Sequence, residues 1–210
     1  MLAGSAIDGL VIPKVESVAQ VQEVEEWLIR CETEAGSAAA TPLVLMIESP
    51  LGVERAFDIA SASVRGWALM FGREDYNAAM QGLKDPGGLA EGLPEFLPSR
   101  SKIANAARAA GLEVIDGSAG AGASAVEMLR DAQLSARLGY TGKIAASDAE
   151  ALSIIEGFTP SPQAISFALD MVNVAMGRST VAAAEEVTPP VVKQALLTLR
   201  RAGIDPALEN

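Results

Sequence analysis

Two acidic side chains stand just beyond short apolar runs. Glu48 follows Leu43-Val44-Leu45-Met46-Ile47, and Asp75 follows Trp67-Ala68-Leu69-Met70-Phe71 after Gly72-Arg73-Glu74. If the runs are adjacent strands, both carboxylates leave the sheet at the same end and at matching depth. Two carboxylates brought that close repel each other, and one carboxyl pKa rises unless a cation sits between them. The chain contains no His and a single Cys, Cys31, so neither imidazole nor a cysteine cluster can ligate that cation. A hard, oxygen-seeking ion is left, Mg²⁺ first and Mn²⁺ or Ca²⁺ behind it.

Gly72, Arg73 and Glu74 form the turn out of the third run. Gly72 lets the backbone bend sharply, and the amides that follow can point at an anion. An α-keto or carboxylate group seated there would also reach a metal on Asp75. Further candidates sit at the ends of the other runs: Lys14 and Glu16 after the first, Asp116 after the fourth, Ser147 and Asp148 after the fifth. Each has a plainer alternative. Glu48 could serve the positive end of the helix opened by Ser49-Pro50, and Asp75 could cap a segment starting at Tyr76. Lys14 and Glu16 could be a solvated pair, Asp116 in Ile-Asp-Gly a turn former, and Ser147 with Glu150 a helix cap. No residue is singled out as the proton donor or acceptor.

The composition excludes several classes. With 16 basic and 27 acidic residues among 210, the net charge is −11, which disfavours non-specific contact with nucleic acid or an anionic membrane. The single Cys excludes an intrachain disulfide and a cysteine-rich zinc site. A Ser-His-Asp triad is impossible without His. The strongly apolar runs are far shorter than the roughly 20 residues of a membrane span, and the start of the chain lacks the features of a targeting segment. A cytoplasmic protein is expected.

The elements that must position these groups alternate. Apolar runs begin near residues 8, 42, 66, 113 and 140, and segments of helical period separate them. The runs are continuously apolar, as strands of a parallel sheet covered on both faces are. Ser17–Gln20, Ser124–Glu127 and Ser147–Glu150 have the spacing of capping boxes. Ser99 is placed to cap a helix ending at Gly111, and Ser161-Pro162 and Thr188-Pro189 open two C-terminal helices. The result is an α/β chain of about five βα units over residues 1–160, then a helical extension over 161–210. A doubly wound sheet and part of an eight-stranded barrel both fit. The first strand lacks the G-x-G-x-x-G turn of a dinucleotide fold, and Gly117–Gly122 has the wrong glycine spacing for one, so the barrel is favoured. Lys84–Gly88 and Gly92–Pro94 mark a loop excursion.

Taken in order, several segments resemble the citrate lyase β-subunit-like family within the HpcH/HpaI-type aldolases. They are Leu10-Val11-Ile12-Pro13-Lys14-Val15-Glu16-Ser17, Leu45-Met46-Ile47-Glu48-Ser49-Pro50-Leu51-Gly52-Val53 and Phe71-Gly72-Arg73-Glu74-Asp75-Tyr76. Ser99-Arg100-Ser101, Ile115-Asp116-Gly117, Gly139-Tyr140-Thr141-Gly142-Lys143 and Gly157-Phe158-Thr159-Pro160 continue the series. The resemblance implies a TIM-type (β/α)8 barrel, here incomplete, using Mg²⁺ to cleave or form C–C bonds. It implies substrates that are β-hydroxy acyl-CoA esters or related hydroxy and keto acids, with Glu48 and Asp75 as metal ligands. The metal would stabilise the enolate formed as the bond breaks.

Departures from the family pattern are equally specific. The chain starts at what resembles the fourth strand, so an acidic Leu-Glu-Asp strand end and an Arg that faces the enolate oxygen have no counterpart. Where the family tends to show Ile-His-Pro-x-Gln, this chain has Ala146-Ser147-Asp148-Ala149-Glu150. Five strands cannot close a barrel built from eight. Exposed sheet edges then favour a homo-oligomer or a complementing chain, and an inactive remnant or scaffold subunit is the alternative to a lyase.

Overall fold

The computed structural model of the chain describes residues 7–37, 40–82, 94–120, 122–179 and 187–205. The expected loop at Lys84–Gly88 and Gly92-Leu93 lies outside the described residues. Five strands form one sheet: β1 (Leu10–Ile12), β2 (Leu43–Ile47), β3 (Gly66–Phe71), β4 (Glu113–Asp116) and β5 (Gly142–Lys143). All four pairings are parallel, and the order in space is the order in the chain. A doubly wound sheet reverses its order at a switch point; these strands do not, as in the wall of a barrel. Among the described residues β1 and β5 each have one neighbour, so the sheet is open at both edges.

Side chains alternate across the sheet. Leu43, Leu45, Ile47, Leu69, Phe71 and Val114 take one set of positions, all fully buried. Val44, Ala68 and Met70 take the other and form a separate cluster with Met46, Ile115 and Ile144. Burial of each large aliphatic side chain stabilises the fold by about 1.5–3 kcal/mol.

Helices connect the strands. α1 (Val18–Glu34) begins at a complete capping box, in which the Gln20 amide donates to Ser17 Oγ and Gln20 Oε1 accepts from the Ser17 amide. It buries Val21 and Leu28. α2 (Pro50–Glu54) and α3 (Ala56–Ala62) follow β2, and α4 (Arg73–Ala79) follows β3. A 3-10 turn at Pro94–Phe96 leads into α5 (Leu97–Ala109), then α6 (Ala125–Arg137) follows β4 and α7 (Asp148–Phe158) follows β5. α8 (Pro162–Ala175) and α9 (Pro189–Arg201) complete the chain's helices among the described residues.

The start of α5 departs from expectation. The helix opens at Leu97, with Pro98 in its first turn and no side-chain cap. Proline's fixed φ is already helical, so the helix begins earlier and Ser99 lies inside it. The Ser99 hydroxyl instead donates to the Tyr76 hydroxyl at 2.6 Å. The far end behaves as the sequence indicates, with Gly111 at φ +75° and the Leu112 amide bonded to the Ala107 carbonyl.

The chain divides into two compact units, Met1–Ile154 and Ile155–Asn210, with the boundary inside α7. The second has its own core, Ala168, Met171 and Val172 of α8 against Ala195 and Leu199 of α9. The candidate site lies entirely in the first.

Candidate functional site

Register builds the site. Ile47 of β2 pairs with Phe71 of β3, so Glu48 and Gly72 are the next residues out of neighbouring strands. The Gly72 amide donates to the Ile47 carbonyl at 3.0 Å and holds the two exits together. Glu48 lies against the Gly72 backbone, where an added Cβ would stand 2.5 Å from both Glu48 Cβ and Oε2. Glycine is therefore required by contact rather than by φ. Gly72 is also the N-cap of α4, which places Asp75 inside the first turn. The alternative of Asp75 capping a segment from Tyr76 does not hold, because the helix has already begun.

The exit of β1 supplies the third group. Lys14 has φ +55°, a left-handed conformation uncommon for a residue with a Cβ. That conformation accompanies a 2.8 Å bond from the Lys14 amide to Glu48 Oε1. Its ammonium donates to Asp75 Oδ2, also at 2.8 Å. Lys14 thus straps the two acids from the third strand end.

Their environments differ. Glu48 is buried, at 7 % exposure, whereas the side chains of Lys14 and Asp75 are 68 % and 53 % exposed. Burial pushes the Glu48 carboxyl above its ordinary pKa; the Lys14 amide opposes the shift, and Asp75 adds to it. The hydrogen bond and charge of Lys14 hold Asp75 below its ordinary value. Two carboxylates thus influence each other at the mouth, one of them reluctant to ionise. Among the described residues no group of three or more Asp, Glu or Cys side chains converges in a way that could hold a metal.

The rest of the turn faces two ways. Arg73 sends its guanidinium inward: it is 8 % exposed, donates to Asp131 Oδ2 at 3.3 Å and lies 5.9 Å from the Phe96 ring centroid. Glu74 lies in the first turn of α4 and is exposed. Phe71, Tyr76 and Phe96 meet edge to face, with centroids 5.4–6.3 Å apart, and clamp α4 against the end of β3.

Asp116 does not join Glu48 and Asp75. It is 2 % exposed, accepts from the Gly117 amide and from Ser135 Oγ at 2.7 Å, and pairs with the Arg100 guanidinium. The turn role and the ionic role thus coexist. Glu150 is fully buried and accepts from the Ala119 and Ala146 amides, pinning the loop after β4 to the end of β5. The Glu150 amide bonds Ser147 Oγ at 3.2 Å, so one half of the expected capping box forms.

The sequence matches the HpcH/HpaI aldolase/citrate lyase family over residues 2–147. The chain belongs to that family. It is 30 % identical to the citrate lyase subunit beta of Escherichia coli K12, an alignment covering 91 % of this chain and 64 % of that one. It is 29 % identical to the L-malyl-CoA/beta-methylmalyl-CoA lyase of Cereibacter sphaeroides, covering 80 % of this chain and 57 % of the relative. Among solved structures, protein CitE from Mycobacterium tuberculosis in complex with magnesium, acetoacetate and coenzyme A superposes with a TM-score of 0.74. Identity there is 26 %, covering 96 % of this chain and 71 % of that chain. The chain thus spans less than two thirds of the length of these two curated relatives.

Proposed function

We propose that the chain is a magnesium-dependent carbon–carbon lyase acting on a β-hydroxy acyl-CoA or a related hydroxy or keto acid. The observation that carries this reading is the meeting of Glu48 and Asp75 at the ends of adjacent strands. Two carboxylates, with water and substrate oxygens for the remaining positions, suit Mg²⁺ and leave Mn²⁺ as a substitute. The donor set contains oxygen ligands and no soft one, so the residues fit a hard cation, which would displace the Lys14 ammonium from Asp75. When bound, the metal would supply positive charge for the enolate oxygen that develops as the C–C bond breaks.

The chain's own residues set the stage for that step. Gly72 makes room for Glu48 beside the strand exit. The turn Gly72-Arg73-Glu74 would seat the acid end of the substrate through its main chain, because the Arg73 side chain is engaged inside. Lys14 fixes Glu48 through its amide and keeps Asp75 ionised through its ammonium. Small-molecule carboxylates or acyl-CoA esters are the proposed partners, in the cytoplasm; no helix among the described residues is long and apolar enough to cross a membrane.

A second reading, an inactive partial barrel or scaffold subunit, is favoured by one observation: β1 and β5 each lack a second neighbour among the described residues. A homo-oligomer or complementing chain would cover those edges under either reading. An assay of thioester cleavage over a panel of β-hydroxy acyl-CoA esters separates the two. Turnover that requires Mg²⁺ and stops with a chelator supports the lyase, whereas absence of turnover in a correctly assembled, Mg²⁺-binding protein supports the scaffold.

A further inference from the structure

Beneath the turn that carries Asp75 lies a buried ionic cluster that none of the proposed chemistry uses. Asp131, in the middle of α6, is its hub. Its Oδ2 accepts from Lys143 Nζ at 2.7 Å and Arg73 NH1 at 3.3 Å, and its Oδ1 accepts from Arg100 NH1 at 3.0 Å. Asp116 pairs with Arg100 and Lys143 from the end of β4. Three cations therefore face two anions, and no side chain of the five is more than 8 % exposed. Arg73 NH2 and Arg100 Nε are buried without a partner among the described residues, as a surplus of donors would leave them.

We propose that Asp131 is a positioning residue for the metal seat, acting through Arg73. Arg73 opens α4, and Asp75 lies two residues further along the same turn. The backbone there is fixed from below by the Arg73–Asp131 bond and from the side by Gly117, which packs so closely that a Cβ on it would stand 2.8 Å from the Phe71 carbonyl oxygen. Gly117 is in turn held by Lys143, which donates to its carbonyl and also bonds Asp131. One carboxylate on α6 thus holds both the strand exit bearing Asp75 and the neighbouring exit at β4. A group that orients a metal ligand indirectly is worth about ten- to a hundred-fold in metal affinity.

The inference rests on Glu48 and Asp75 being the metal seat, so the experiment tests both separately. Mg²⁺ affinity is measured by calorimetry alongside the melting temperature for the unaltered chain, Glu48→Gln, Asp131→Asn, Arg73→Met and Tyr140→Phe. Arg73→Met removes the link to the turn while leaving two cations against two anions, so it tests the idea even where Asp131→Asn does not fold. Tyr140→Phe removes a 3.0 Å bond from the buried hydroxyl to the Arg100 carbonyl and serves as a destabilised control. The expected result is loss of binding in Glu48→Gln, affinity weakened about tenfold or more in Asp131→Asn and Arg73→Met, and unchanged affinity in Tyr140→Phe. Lower melting temperatures with full affinity in Asp131→Asn and Arg73→Met would overturn the positioning role and leave the metal seat standing. An equal loss in Tyr140→Phe would also overturn it. Unchanged affinity in Glu48→Gln would remove the seat itself, and the inference with it.

Discussion

Two groups of charges lie at the ends of neighbouring strands, and they are built on opposite terms. At the exits of β1, β2 and β3, two acids meet one lysine, and Lys14 and Asp75 face solvent. At the exits of β4 and β5, three cations meet two acids, and all five are buried. The first group carries a surplus of negative charge that a diffusing cation can reach. The second carries a surplus of positive charge, with two donors left over, but is closed to solvent. Under the proposed function the difference separates a seat for a ligand from a brace for the fold: a pair open to solvent is available for binding, whereas a closed network fixes geometry.

The largest effect should come from breaking the brace. Removing one partner of a buried ion pair leaves an uncompensated charge and costs about 3–5 kcal/mol. Arg100→Met takes the guanidinium from Asp131, Asp116 and Ser135 at once and leaves Asp116 with only the more distant Lys143 ammonium, so a urea titration should show a midpoint shift of that order. A shift no larger than that of a surface substitution would mean that water reaches the cluster.

Gly72→Ala attacks the seat instead. Its Cβ would collide with Glu48, and relief by side-chain movement costs about 1–3 kcal/mol. Mg²⁺ binding should fall far more than stability does. A fully retained affinity would show that Glu48 does not need its present position.

Glu48→Gln sharpens the contrast further. Because burial raises the carboxyl pKa, the neutral amide should not lower the melting temperature without metal, while it removes binding. For the same reason Mg²⁺ affinity in the unaltered chain should weaken as pH falls through the raised Glu48 value, since the proton and the metal compete for one carboxylate. A pH-independent affinity would argue against Glu48 as a ligand.

A smaller effect concerns a pair outside both groups. Arg65 forks onto Glu32 with two 2.7 Å bonds and, with help from the Thr41 amide, lowers its pKa from 4.5 to about 2. A carboxylate with a depressed folded value contributes stability above its unfolded value and loses it on acidification. That contribution should be complete above about pH 4.5 and vanish towards about pH 2, and Arg65→Met should flatten this part of the melting curve. The smallest expected change is in Lys14→Met. The Lys14–Asp75 pair is exposed, so the melting temperature should hardly move, yet Mg²⁺ should bind more tightly once the competing ammonium is gone.

The legibility of the two groups in the sequence follows the same division. The strands stand out because each is a continuous apolar run; Glu48 stands out as the first acid beyond one run and Asp75 as the second beyond the next, after Glu74. Lys14 and Gly72 follow from the same position. The brace is invisible to that method. Arg73, Arg100, Asp116, Asp131 and Lys143 come from five separate elements, and only the order β3-β4-β5 with α5 and α6 packed against it brings them together. Asp131 carries no signal of its own in the sequence; only its burial together with its i+4 neighbour Ser135 shows that this helix face points inward. The start of α5 differs from expectation for a local reason, since Pro98 initiates a helix as effectively as Ser99 would cap it.

The shared cation seat is tested most directly by titrating Mg²⁺ calorimetrically into the unaltered chain, Glu48→Ala and Asp75→Ala under identical conditions. One site in the unaltered chain, lost in both variants while their folds persist, is the expected result. Equal affinity in all three proteins would contradict it and leave only the barrel-type fold.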